Sequence, residues 1–207
     1  MSDKIIFFCG PHTAGKTTIL QRLKEENILQ EIAPEIGKEL YYKRKFITKA
    51  QNADFEIEVT EMELERDKKI FQGSSIVGVE TWHPGNLAYA TVRNPQIVDA
   101  LAEKMKKSPL IDSAVGIYLD IPKDLIFQRT KTFQQDREWA ADFYSKINSV
   151  LPQCFQKLGL SEKIIKIDAT KNLEEVFEVV KIKISELVFQ QKKYSANDAS
   201  DYGGWIQ

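Results

Sequence analysis

Short apolar runs alternate with longer stretches of helical periodicity along this chain. The first run, Ile5-Ile6-Phe7-Phe8, has the β-branched and aromatic makeup of a buried strand. A glycine-containing loop follows, and then Thr17–Asn27, in which Ile19, Leu20 and Leu23 share one helical face. Four further strands are predicted at Ile28–Ala33, Ser75–Glu80, Ala114–Asp120 and Ile164–Asp168. Helical stretches are predicted at about Gly37–Phe71, Gln96–Lys107, Lys123–Lys131, Glu138–Leu158 and Leu173–Phe189. Strands alternating with helices predict a three-layer α/β fold, a parallel sheet covered on both faces. Ligands on such sheets bind outside the carboxyl ends of the strands. Gly10, Glu35, Glu80 and Asp120 fall at or just after those ends, so all four are expected on one crevice.

The loop after the first strand carries the clearest chemistry. In "FFCGPHTAGKTTIL", Gly10, four residues, then Gly15-Lys16-Thr17 match G-x-x-x-x-G-K-[ST] in a strand–loop–helix context. The glycines let backbone N–H groups close on phosphate oxygens, and the helix start adds its positive end. Gly10, Pro11, His12, Thr13, Ala14, Gly15, Lys16, Thr17 and Thr18 are therefore the expected phosphate-binding residues of a P-loop. Lys16 is expected to reach the β- and γ-phosphates, and the Thr17 hydroxyl to ligate Mg²⁺.

Composition narrows the setting. The 207 residues suit one domain able to bury a core without disulfides, and the formal net charge of −1 gives no basic face for nucleic acid. Cys9 and Cys154 stand far apart, and no Cys/His cluster has metal-ligand spacing. No apolar run approaches the ~18 residues of a membrane span, and Met1-Ser2-Asp3-Lys4 does not open a signal peptide, so a soluble cytoplasmic protein is expected. The expected organisation is a domain over residues 1–190, with a lid around 130–138, then a polar tail over 191–207.

Other candidates surround the loop. Glu80 ends an apolar strand, where P-loop proteins place an acidic residue on Mg²⁺ or its waters; a helix cap is the plainer reading. Glu35, in "IAPEIGKEL", is a candidate to accept a proton from an attacking hydroxyl, or a first-turn helix residue. Which of the two carboxylates acts as base stays open at this point. In "ETWHPGNLAYATVRNP", Trp82, His83 and Tyr89 offer stacking surface and Asn86 and Arg93 polar contacts, a mixture suited to an acceptor pocket or to a loop around a buried Trp. His83 has no nearby partner to suggest a metal site. Arg137 lies in a polar connection suited to a mobile cover over the phosphates, although composition alone reads it as a solvated charged turn. "YYKRK" reads as a basic helix surface, and the acidic "DFEIEVTEMELERDKK" as a solvated face with pairs such as Glu65 and Lys69.

The succession of the P-loop, "YLDIPKDLIFQRT", "DRE", "FYSKINSVLPQCFQKL" and "IIKIDATKNLEEVFEVV" resembles the thymidylate kinase and deoxynucleoside kinase group of P-loop kinases. The resemblance covers most of the chain and is specific mainly at residues 4–20 and 114–180. It implies the P-loop NTPase fold, with a five-stranded parallel sheet in the order 2-3-1-4-5. It also implies Mg·ATP as donor, Arg129 near the adenine or its phosphates, Arg137 as the lid arginine, and the loop Ala169–Lys171, including Thr170, beside the adenine. Members of that group are often dimers, so a homodimer is one expectation, although no apolar stripe marks an interface.

Two departures bear on the acceptor. The Asp-Arg-aromatic element of thymidylate kinases is here Glu80-Thr81-Trp82, and their Arg-Glu-Pro-Gly element is Ala33-Pro34-Glu35-Ile36. Both acceptor-phosphate arginines are missing, each worth ~1.5–3 kcal/mol as a hydrogen bond to a charged group. The reading is an ATP-dependent phosphotransferase acting on a small acceptor, a nucleoside or nucleoside monophosphate, with GTP not excluded as donor. A regulatory switch that binds ATP and transfers nothing is the alternative.

Overall fold

The computed structural model describes residues 5–43, 53–73, 75–130 and 136–200, with residues 188–200 described by backbone alone. Five parallel strands, β1 (Ile5–Cys9), β2 (Glu31–Ala33), β3 (Val77–Glu80), β4 (Ala114–Asp120) and β5 (Ile164–Asp168), form one sheet in the order β2-β3-β1-β4-β5. That order matches the expected one. Every residue of the central β1 is buried, and its alternation assigns each side chain to a layer. Ile5, Phe7 and Cys9 join one core cluster with Val77, Val79 and Tyr118, whereas Ile6 and Phe8 join another with Ile117, Leu119 and Ile167.

Helices cover both faces. On the first lie α4 (Trp82–Arg93), α5 (Val98–Met105) and α7 (Arg137–Lys157), contributing Leu87, Leu101, Met105, Leu151 and Phe155. On the second lie α1 (Lys16–Glu25), α6 (Lys123–Arg129) and α8 (Leu173–Ser200), contributing Ile19, Leu23, Ile126, Phe177 and Val180. A smaller cluster of Ile36, Leu40, Phe55 and Val59 joins α2 (Ile36–Lys43) to α3 (Ala53–Gln72).

Several elements differ from their sequence expectations for identifiable reasons. The strand expected from Ile28 starts only at Glu31, because Asn27 takes φ 57° and the amides of Ile28 and Leu29 both turn back to the Leu23 carbonyl. The single helix expected over 37–71 is two helices, with residues 44–52, including Arg44 and Lys45, outside the described residues. The stretch from Trp82 is a helix despite Pro84 and Gly85. Both fall in its first turn, where a missing N–H costs no helical hydrogen bond. Acidic α3 is not a solvated face throughout, since Glu56, Glu63 and Asp67 are buried; its Glu65 pairs with Lys68 at 2.5 Å rather than with Lys69. Helix α8 continues to Ser200, past Phe189, and residues 201–207, with Tyr202 and Trp205, lie outside the described residues.

Gly116 of β4 shows how tightly the sheet is dressed. A Cβ there would stand 2.4 Å from Phe7 Cζ and 2.5 Å from Ile164 Cδ1. Gly116→Ala should therefore lower unfolding free energy by about 1–3 kcal/mol, read as a lower urea midpoint at unchanged slope.

Candidate functional site

The site grows from the carboxyl end of β1. Gly10 takes φ 140° with its Cα hard against β4; a Cβ would lie 2.3 Å from the Leu119 carbonyl oxygen. Gly15 takes φ 95° as the residue before α1. Both positions demand glycine. Between them, Thr13 adopts φ 69°. Lys16 folds back over the loop, donating from Nζ to the carbonyls of Gly10 at 3.1 Å and Pro11 at 3.0 Å. Its ammonium is 3.7 Å from Glu80 Oε1, while Thr17 Oγ1 donates to Glu80 Oε2 at 2.7 Å. The loop, the lysine, the hydroxyl and the strand-end carboxylate thus meet as the P-loop pattern requires. The free N–H donors at the N-terminus of α1 make this end of the sheet suited to an anion such as phosphate.

Glu35 stands on the far side of Glu80. Its Oε1 accepts from the Thr81 hydroxyl at 2.9 Å. Burial raises its pKa, the Glu80 charge raises it further, and Lys16, the Thr81 hydrogen bond and Lys38 act in the opposite sense. A carboxyl so placed is a better proton acceptor than an ordinary solvated glutamate. Thr81 and Trp82 take φ 71° and 49°, so the chain leaving β3 is strained at two successive non-glycine residues.

Trp82 and His83, expected against an acceptor, are instead fully buried, and their polar atoms meet α3. Trp82 Nε1 donates to the Asp67 carboxylate, at 3.1 Å to Oδ2. His83 Nε2 lies 2.9 Å from Asp67 Oδ2, and Nδ1 lies 2.9 Å from Glu63 Oε2, an ionic contact without hydrogen-bond alignment. Burial opposes a charge on this imidazole, yet the two carboxylates overcome it and raise its pKa to about 9. Arg93 is likewise engaged: its Nε is 2.8 Å from Glu56 Oε1, and its guanidinium lies over the Tyr89 ring. Asn86 Oδ1 faces Gly37 at the start of α2.

An aromatic row lines the same end of the molecule. Exposed Trp139 stacks on Phe143 at 5.2 Å and 7°, Phe143 meets Tyr144 and Tyr89, and Tyr144 stacks on His12 of the loop. Burial lowers the His12 pKa, and neighbouring Lys16 lowers it further.

On the opposite flank, Arg129 donates to the carbonyls of Ala169, Thr170 and Lys171 at 3.1, 3.3 and 3.1 Å, tying α6 to the loop after β5. A cleft of about 740 Å³ reaches that loop at Thr170, between β4, β5 and α7. Arg137 opens α7, and its Nη2 donates to Phe127 O at 2.7 Å. Residues 131–135 of the expected lid lie outside the described residues.

With this geometry in view, the profile of the AAA domain family matches residues 5–158. The chain belongs to the AAA domain family. No curated protein sequence matches it. Among solved structures, this AAA domain is similar to deoxyadenosine kinase from M. mycoides with products dcmp and a flexible dcdp bound, with a TM-score of 0.65, 14% identity, and coverage of 88% of this chain and 99% of that one. Thymidylate kinase from Candida albicans gives 0.64 and 14% over 89% and 92%. The NadR protein in complex with NR gives 0.63 and 15% over 86% of this chain and 48% of that protein, so the chain spans about half of NadR's length. These likenesses establish the fold. Among the described residues no helix is long and apolar enough to cross a membrane.

Sequence reasoning brought Lys16, Thr17, Glu80 and Glu35 to one place, and the structure joins them. It missed Thr81 as the Glu35 partner, and the Trp139, Phe143, Tyr144 row, whose i,i+4 spacing in "WAADFY" was the available signal.

His83 makes a pH prediction. Its folded pKa of about 9 exceeds the ordinary value of 6.5, so its contribution is complete below about pH 6.5 and lost as pH rises through 9. Urea unfolding between pH 6.5 and 9.5 should show stability falling, and His83→Gln should show a flatter pH dependence and a lower starting value.

Proposed function

We propose that this AAA domain transfers the γ-phosphoryl group of ATP to a hydroxyl of a nucleoside or nucleotide acceptor. The observation that carries the reading is the half-buried Glu35 carboxylate, held by Thr81 beside the Lys16–Thr17–Glu80 cluster, with its pKa raised. That pairing supplies a phosphate cradle and a proton acceptor on one edge of the sheet. The fold shared with deoxyadenosine kinase, thymidylate kinase and NadR supports the same class of chemistry.

In this mechanism the loop amides of Gly10–Thr18 and the α1 terminus hold the phosphates, and Lys16 leaves its loop carbonyls to reach the β- and γ-oxygens. Thr17 Oγ1 and Glu80 are an oxygen-only pair that fits Mg²⁺, an ion satisfied by one or two protein oxygens plus phosphate and water. Mg²⁺, when bound with the nucleotide, neutralises charge developing on the phosphoryl oxygens. The acceptor oxygen bonds to Pγ, its proton passes to Glu35, and the bond from Pγ to the bridging oxygen breaks, leaving ADP with the electron pair. Arg137 leaves the Phe127 carbonyl to meet the transferring group, and Arg129 and Thr170 flank the adenine.

In this reading Tyr89 and Asn86 would meet the acceptor, while Trp82, His83 and Arg93, bonded to α3, would brace that wall. Both cysteines are free and buried, which suits a cytoplasmic setting where ATP is abundant.

Incubation with γ-labelled ATP, Mg²⁺ and a panel of nucleosides and nucleoside monophosphates should place label on one acceptor. Lys16→Ala should abolish transfer, and Glu35→Gln should lower kcat by about 10²–10⁴-fold with ATP affinity retained. ATP binding with no labelled product across the panel would sink transfer and favour a nucleotide-controlled switch.

A further inference from the structure

Three buried side chains, Glu63, Asp67 and His83, and the partly buried Arg66 touch neither the P-loop nor Glu35, yet they grip the segment that carries Glu35 and the one that holds it. Arg66 Nη1 donates to the Pro34 carbonyl at 3.1 Å, one residue before Glu35. Asp67 accepts from Trp82 Nε1, fixing the residue after Thr81, whose hydroxyl holds Glu35. Arg66 Nη2 lies 3.4 Å from Glu63 Oε1 and 3.3 Å from Asp67 Oδ1. His83 bridges the same two carboxylates, and Ser108 Oγ donates to Asp67 Oδ2 at 2.6 Å. Two carboxylates therefore face a guanidinium and an imidazole inside the protein.

Stability alone does not explain this arrangement. Buried ion clusters are matched or exceeded in stability by apolar residues of the same volume. What an apolar filling lacks is a directional donor for the Pro34 carbonyl and an acceptor for the Trp82 indole. The strained Thr81–Trp82 backbone needs such restraint, since positive φ at non-glycine residues persists only where the surroundings impose it.

We propose that the Glu63–Arg66–Asp67–His83 cluster is a positioning device for Glu35, with Arg66 as its link to Pro34 and Trp82 as its link to Thr81. The proposal rests on Glu35 as the proton acceptor. Both links end one residue or one hydrogen bond from that carboxylate, so loosening either one turns it away from the crevice. A misplacement of about 1 Å at a reacting group costs about 10²-fold in rate.

The test follows the Glu35 carboxyl by carbon-13 NMR titration, assigned by its loss in Glu35→Gln, and needs no acceptor. The groups facing this carboxyl are Glu80, Lys16, Thr81, Lys38, Tyr89 and Tyr144, none of which is altered. In Arg66→Met, and in the charge-balanced Arg66→Met/Glu63→Gln, the raised Glu35 midpoint should fall toward the ordinary carboxylate range. ATP affinity should hold within about twofold while kcat for transfer drops about 10–100-fold, with partial rescue in Arg66→Lys. An unchanged Glu35 midpoint in a folded variant overturns the proposal, as does failure of both variants to fold, which would assign the cluster to core stability. Full transfer by Glu35→Gln alongside a shifted midpoint would instead sink the proton-acceptor reading and leave the positioning intact.

Discussion

The pairing of Phe8 with Glu80 across β1 and β3 is the contact on which the site depends. Parallel register brings the ends of the two strands level, and the Thr81 amide extends the ladder to the Phe8 carbonyl at 2.8 Å. Two residues beyond Phe8 the chain must turn, and it does so against Leu119 of β4, where only Gly10 fits. Lys16 and Thr17 then return over the strand ends to meet Glu80 from both sides. A slip of one residue in this register would send Glu80 to the other face of the sheet and separate carboxylate from loop.

Electrostatics follow from that convergence. Glu35 and Glu80 share a half-buried space with Lys16, so each carboxylate feels the other as well as the cation. Along α3 and α4 the partly or fully buried charges pair with one another: Arg93 with Glu56, Arg66 and His83 with Glu63 and Asp67. Those pairs tie α3 to α4 and to the segments at the ends of β2 and β3. The aromatic row from Trp139 reaches His12 of the loop through Phe143 and Tyr144.

How much of this was legible in the sequence depended on range. The P-loop is local, with all its chemistry within nine residues, and it formed as read. Apolar runs located the five strands, while their order followed from the resemblance to P-loop kinases and not from periodicity. Helix α4 was hidden because Pro84 and Gly85 signal a loop unless the first turn is recognised as the place that tolerates both. The buried acids of α3 were hidden for the opposite reason. Apart from Arg66 on the same helix, their charged partners His83 and Arg93 lie 16 or more residues away on another helix, beyond the i,i+3 and i,i+4 reach of local charge patterning. The Glu35–Thr81 bond spans 46 residues and had no local signal at all.

In the proposed reading Glu80, held against Thr17 and Lys16, completes a site for a metal-bound triphosphate. Equilibrium titration of ATP with and without Mg²⁺, on the intact protein and on Glu80→Gln, tests it most directly. Mg²⁺ should tighten ATP binding in the parent protein, and that gain should shrink by about tenfold in the variant, the scale of one charge-assisted contact. An equal Mg²⁺ gain in both proteins would contradict the account.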